Sequence, residues 1–249
     1  MIILKTDSEL KLMRESNRII AVVLSEIEKV IKPGISTLEL DQWAEEKILG
    51  LGATPGFKGY KGYPATLCTS VNHEVVHGIP SESKQLKEGD IIGIDVGCIY
   101  KGFYGDGAWT YSVGNVRPEA KDLMSTCKAS LYEGIEQVKT GNRVSDISNA
   151  IDKCVRSKGY EIIRDLTGHG IGRDLHEEPQ VLNYNNGIKG PKLKSNMTLA
   201  IEPMITNGTF EIKTLADNWT VVTADGSLSA HYEHTVVVTE NGPEILTRL

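Results

Sequence analysis

Six side chains able to bind a metal or move a proton stand in unusual settings. Asp95 lies in the apolar run IDVG, Asp106 in YGDGAWT, Glu202 at the end of MTLAIEP and Glu233 in HYEHTVVVT. His169 and His176 share the segment TGHGIGRDLHEEPQ with Gly168, Gly170 and Gly172. Strand interiors disfavour carboxylates, so each wants a partner. One alone would be a surface position or half of an ion pair. Four of them, together with imidazoles, make the oxygen-rich donor set of a metal site. The glycines, each costing about 1 kcal/mol in a helix, point to a backbone that something approaches closely.

Asp95 and Asp106 fall on the two arms of a hairpin, GIDVGCIYKGFYGDGAWTYSVG. With Tyr100-Lys101 as a two-residue loop they sit directly opposite, about 5 Å apart. With Lys101-Gly102 they are diagonal on the same face, at roughly 7–8 Å. A three-residue loop without a bulge would put them on opposite faces. Two like charges that close, beside Ile94 and Val96, are unfavourable unless something positive lies between them.

The elements that must hold these groups are legible in outline. Leu10, Met13, Ile20, Leu24, Ile27 and Ile31 recur at helical spacing, with Thr6, Asp7 and Ser8 as caps and Lys32-Pro33-Gly34 as a stop. Ser36-Thr37 caps a second helix to about Leu51. A second pair spans Pro118 to Val138 and Val144 to Lys158. IEKVIKPG (Ile27 to Gly34) aligns with IEQVKTG (Ile135 to Gly141) with one deletion, which suggests a duplicated half. Strand-like runs cover Thr66–Val71, Ile91–Tyr100, Ala108–Val113, Met197–Glu202 and Tyr232–Thr239. The pattern predicts an α+β chain with a largely antiparallel sheet, as one compact domain over 1–249 with halves near 1–115 and 116–249.

Composition narrows the class. The 249 residues are 40% hydrophobic and 24% charged, the range of a soluble globular protein. No run approaches the ~18 apolar residues of a membrane span, and no signal segment opens the chain. Cys68, Cys98, Cys127 and Cys154 form no CxxC pair, which points to a reducing cytoplasm. A net charge of −6 without a basic block gives no indication of nucleic-acid binding.

Taken in order, HGIP (His77 to Pro80), IDVG, YGDGAWT, TGHGIGRDLHEEPQ, IEPM and YEHTVVVT resemble the type I methionine aminopeptidases, over nearly the whole chain. The resemblance implies a pita-bread fold, in which two pseudo-symmetric αβ halves surround a curved antiparallel sheet and a dinuclear metal centre. Asp95 would chelate one ion, Asp106 and Glu233 would bridge both, and His169 and Glu202 would complete the other. His77 and His176 correspond to substrate-contacting histidines. Four carboxylates balance two divalent ions, leaving a bridging hydroxide as the nucleophile. Glu202 would shuttle the proton, and His176 and His77 would hydrogen-bond the scissile amide and its oxyanion. The methionine pocket would draw on Tyr60, Tyr63, Cys68 and Trp219, with Phe57 and Leu175 beside them.

The ions implied are cobalt, manganese, iron or zinc. The partners implied are N-terminal methionyl peptides and nascent chains, with the ribosome left open as a further one, and the chain is expected to be a cytoplasmic monomer. Tyr104 and Gly107 depart from the family's commoner histidine and threonine or serine. His73, His231 and His234 match no catalytic position and read as surface residues or neighbours of the ligands. The proline-directed peptidases share the fold and ligand order but usually carry an extra N-terminal domain. The type II methionine enzymes insert a helical segment between the last two glutamates, whereas only a short stretch separates Glu202 from Glu233. A metal-free binding module would show broken ligands and basic segments, and this chain has neither.

Overall fold

The computed structural model describes residues 1–249. The chain opens with helices α1 (Asp7–Ile27) and α2 (Thr37–Gly50). Strands β1 (Thr54–Pro55), β2 (Leu67–Val71), β3 (Glu74–Val76), β4 (Ile91–Tyr100) and β5 (Phe103–Ser112) follow. A second helix pair, α3 (Pro118–Ile135) and α4 (Val144–Ser157), leads into β6 (Glu161–Ile162), β7 (Gly168–Gly170), β8 (Glu177–Val181), β9 (Thr198–Ile201) and β10 (Met204–Thr206). The chain ends with β11 (Ile212–Thr214), β12 (Val221–Thr223), β13 (Ser229–His231), β14 (His234–Thr239) and β15 (Gly242–Ile245).

The start of α1 is a reciprocal cap. The Thr6 hydroxyl accepts the Glu9 N–H while the Glu9 carboxylate accepts that of Thr6. Ser36 and Glu39 repeat this at α2. The first helix ends at Ile27, one turn before the expected Ile31. Pro33 disfavours the helical conformation of its predecessor and Gly34 turns to a φ of +90°, so the last turn loosens. The α3 helix likewise stops at Ile135 rather than Val138.

Each helix pair covers its own core. Ile20, Leu40, Ile48, Ile92 and Ile94 fill the first, and Leu123, Leu131, Ile147, Ile151 and Leu199 the second. Trp109 packs against both. Every strand pairing is antiparallel, and the ladders divide into four hydrogen-bonded sheets. In each half the residue preceding the second helix bridges to one the same distance further along, Ser36 to Gln85 and Arg143 to Lys192.

Two sheet features position the carboxylates. The β4–β5 hairpin turns through Lys101-Gly102, both at positive φ, so Asp95 lies opposite Ala108 and diagonal to Asp106 on one face. That is the wider of the two expected registers. In the second half, β9 pairs with β14 and β10 with β13, in different sheets. Ile201 faces His234 and Met204 faces His231, so the same register carries Glu202 opposite Glu233 across the break between the two sheets. Both glutamates were expected inside or at the end of a strand. They stand instead in the kink, where Pro203 has no N–H to give a ladder.

Candidate metal centre

The proposed ligands and substrate contacts meet in one cleft of about 250 Å³. Asp95, Asp106, His169, Glu202 and Glu233 line its floor, and His77, Tyr60, Tyr63, Cys68, His176 and Trp219 line the rest, beside Phe57 and Leu175. The donor atoms of Asp106, His169 and Glu233 lie within 4.8 Å of one another, and so do those of Glu202, His231 and Glu233. Asp95 belongs to neither triad, although its carboxylate faces the same cavity.

His169 shows how the backbone serves the site. It is the middle residue of β7, opposite Ala200 on β9. A Cβ on Gly168 would collide with the Ala200 carbonyl, and one on Gly170 with that of Glu178, so only glycines let three strands close around this imidazole. Its Nδ1 lies 2.9 Å from the Gly170 carbonyl. With Nδ1–H donating there, Nε2 presents its lone pair 3.3 Å from Glu202 Oε1 and 3.8 Å from Asp106 Oδ2. Burial holds His169 down to about 3, so the ring is neutral and free to ligate.

The carboxylates are starved of positive charge. Burial first, and then repulsion among them, raises Asp106, Glu202 and Glu233 well above the ordinary carboxylate range, and burial lifts Asp95 to about 7. Asp95 Oδ1, Asp106 Oδ1 and Glu233 Oε1 are buried with no hydrogen-bond partner. No lysine or arginine pairs with any of the four. Native interiors seldom leave such oxygens unmatched. Their number and chemistry suit divalent cations.

Around this floor the apolar wall is built from backbone contacts. The ring of Phe57 lies against Gly97 of β4, where a Cβ would overlap it. Tyr63 donates its hydroxyl to the carbonyls of Leu67 (2.8 Å) and Gly78 (3.1 Å), and its ring meets Trp219 edge-on with centroids 5.0 Å apart. Cys68 pairs with Asp95 across β2 and β4, and burial pushes its thiol well up, so it is a neutral apolar wall. His77 takes a left-handed φ of +59°, costly for a residue with a Cβ and common where function fixes a side chain. At the mouth, Tyr60 OH lies 2.8 Å from His176 Nδ1, and the His176 and His169 rings are 4.3 Å apart.

Of the three unassigned histidines, His231 takes the second of the two expected places, buried beside the ligand Glu202, His73 takes the first and is exposed, and His234 takes neither, being buried away from the site with Nδ1 2.8 Å from Thr247 Oγ1. Lys61, Leu166 and Met204 also line the cleft. At Gly107 a Cβ would come within 3.1 Å of Ile20, so glycine lets α1 lie close, while the Tyr104 N–H donates to the Gly172 carbonyl at 2.8 Å.

The profile of metallopeptidase family M24 matches residues 11–240. Methionine aminopeptidase 1 of Bacillus subtilis is 53% identical over 249 residues, covering all of both chains. The chain belongs to the methionine aminopeptidases of family M24. The crystal structure of the Thermotoga maritima methionine aminopeptidase superposes with a TM-score of 0.98 at 46% identity, covering 100% of each chain. A Xaa-Pro dipeptidase from Bacillus anthracis matches at a TM-score of 0.80 and 25% identity, with 99% of this chain against 62% of the longer one. The fold is therefore the pita-bread fold of M24 peptidases, with two pseudo-symmetric αβ halves.

For an M24 enzyme with this cleft, Trp219 is a wall and not a ligand. Trp219→Ala is expected to raise KM for methionyl peptides about tenfold, on the 1–3 kcal/mol scale of pocket contacts, with bound metal unchanged. Steady-state kinetics beside metal analysis would check it, and unaltered kinetics would return Trp219 to the ordinary core.

Proposed function

We propose that Asp95, Asp106, His169, Glu202 and Glu233 hold two divalent ions, and that the remaining cleft residues bind and process a methionyl N-terminus there. The chain is a metalloaminopeptidase that removes N-terminal methionine from peptides. The observation that carries the ligand assignment is the set of buried, unpartnered oxygens of Asp95, Asp106 and Glu233 beside the neutral His169. Divalent ions in that position supply a Lewis acid for the scissile carbonyl and a lowered pKa for water. Their identity, among cobalt, manganese, iron and zinc, is left to measurement.

The chain's own groups then divide the work. The pocket of Phe57, Tyr63, Cys68 and Trp219 takes a flexible, polarisable thioether. Glu202 receives a proton from the attacking water and returns it to the departing amine. His176, whose Nδ1 is engaged by Tyr60, offers Nε2 to the reacting amide, and His77 approaches from the Trp219 side, with ring centroids 6.3 Å apart. On the same reading the chain is a cytoplasmic monomer acting on nascent chains, with the ribosome as a further contact. Its four free cysteines support a reducing compartment. It is one domain whose halves meet near residue 115, and the matched bridges Ser36–Gln85 and Arg143–Lys192 support a duplication.

The test is metal-dependent cleavage of Met-Ala-Ser, Met-Lys-Ser and Ala-Pro-Ser. Release of methionine from Met-Ala-Ser only after reconstitution is expected. Faster cleavage of Ala-Pro-Ser would assign the cleft to a proline-directed peptidase.

A further inference from the structure

His231 has no place in the five-ligand set, yet the fold holds it firmly. It is the last residue of β13 and is 3% exposed. Thr110 clamps its backbone from both sides: the Thr110 Oγ1 accepts the His231 N–H at 3.0 Å and donates to its carbonyl at 2.7 Å. The side chain is left with a buried Nε2 that has no hydrogen-bond partner, 3.9 Å from Glu202 Oε2. The other Glu202 oxygen, Oε1, faces His169. A carboxylate thus stands between two imidazoles, one on each oxygen.

The separation discriminates between two explanations. A hydrogen bond from Nε2–H to the carboxylate would close to about 2.7–3.2 Å. Two donors each about 2.0–2.2 Å from one shared cation lie roughly 2.8–3.6 Å apart at octahedral or tetrahedral angles. The observed 3.9 Å is too long for the hydrogen bond and needs a closure of only a few tenths of an ångström to meet the second case. Glu233 supplies a third donor within 4.8 Å of the other two, and its Oε1 is itself unpartnered.

We infer that His231 is a metal ligand of this chain, forming with Glu202 and Glu233 a second imidazole-bearing cation position that shares Glu233 with the triad of Asp106 and His169. The donor set of one imidazole and two carboxylates suits zinc, cobalt, iron or manganese over calcium or magnesium. The inference rests on the metal-centre reading above, adds His231 to its ligands, and gives Glu202 one oxygen toward the His169 ion and the other toward the His231 position.

Paramagnetic NMR of the full-length, cobalt(II)-loaded protein with 15N-labelled histidine reads the number of coordinated imidazoles directly. Two contact-shifted imidazole spin systems are expected. His231→Gln, which fills similar volume with a poor ligand, should lose one of them and weaken binding of one ion at least tenfold by calorimetric titration. A single shifted imidazole in the wild-type protein, kept in His231→Gln with unchanged affinities, overturns the inference and leaves the five-ligand reading standing. No shifted imidazole at all would remove both. Because the wild-type spectrum already decides the count, an unstable variant leaves the inference just as open to refutation.

Discussion

His169→Ala and His176→Ala are expected to fail in different ways although their rings stand 4.3 Å apart. Loss of His169 takes the imidazole from the Asp106 and Glu233 triad and leaves that ion to carboxylates and water. Its affinity should fall severely, and activity should partly return as metal is added. His176 touches none of the carboxylates; its hydrogen bond runs to Tyr60. His176→Ala should therefore bind metal with near-native affinity. It should lose about 10²–10³ in turnover, roughly 3–4 kcal/mol, because the missing donor acts most strongly as charge builds on the reacting amide. Added metal should not restore it. Calorimetric metal titration and turnover on both variants separate the cases. An ion lost from His176→Ala, with both kept in His169→Ala, would mean that the roles are reversed.

Stripping the metal should abolish methionine release and also loosen the fold. Binding to the native state alone contributes about 2.7 kcal/mol at a hundredfold excess over Kd, or roughly 5–10 °C in Tm for a chain of this size. The pH course of the metal-free protein follows from two opposed sets of groups. The buried carboxylates are raised above their unfolded range, so they keep protons that the unfolded chain has released. Their stabilising contribution is complete below about pH 4 and is lost as pH rises through the folded values, about 7 for Asp95. His169 and His231, near 3, and His77 and His234, near 4, act in the other sense. Their contribution grows as pH rises to about 6.5 and is flat beyond. Above about pH 6.5 only the carboxylates still count, so the metal-free Tm should fall toward pH 8. The loaded form, whose ligands must be deprotonated to bind, should hold steady or gain. Thermal melts of both forms across pH 6–8 check this. Coincident midpoints would be incompatible with a cluster of bare carboxylates.

Much of this was legible because local chemistry and tertiary need agree. The caps at Thr6 and Ser36, each followed three residues on by glutamate, announce both helices of the first pair. The sequence leaves the hairpin open between two two-residue loops and a three-residue one, although Gly102 favours the observed turn: two positive φ values are cheaper when one of them belongs to glycine. Glu202 and Glu233 were read as strand residues since their neighbours are β-branched and apolar. Pro203 was the sign that the ladder breaks there. For His231 the sequence leaves two places open, the surface or the neighbourhood of the ligands. Its burial depends on Thr110, far away in sequence, and no periodicity reports such a contact. Tyr63 looked like a pocket residue and lines the cleft, yet its hydroxyl is spent on the carbonyls of Leu67 and Gly78.

The candidate ligands come from both halves, Asp95 and Asp106 from the first hairpin and His169, Glu202 and Glu233 from the second half. That division sets an order of birth. A polypeptide is made from its N-terminus, and early segments fold while later ones are still being added. The segment that carries the two aspartates is therefore made long before the one carrying Glu233 exists. Contacts this distant in sequence also form slowly. On the proposed ligand set the complete site waits for nearly the whole polypeptide, and a chain truncated anywhere before Glu233 would lack one of its ligands together with the strand that pairs with β9.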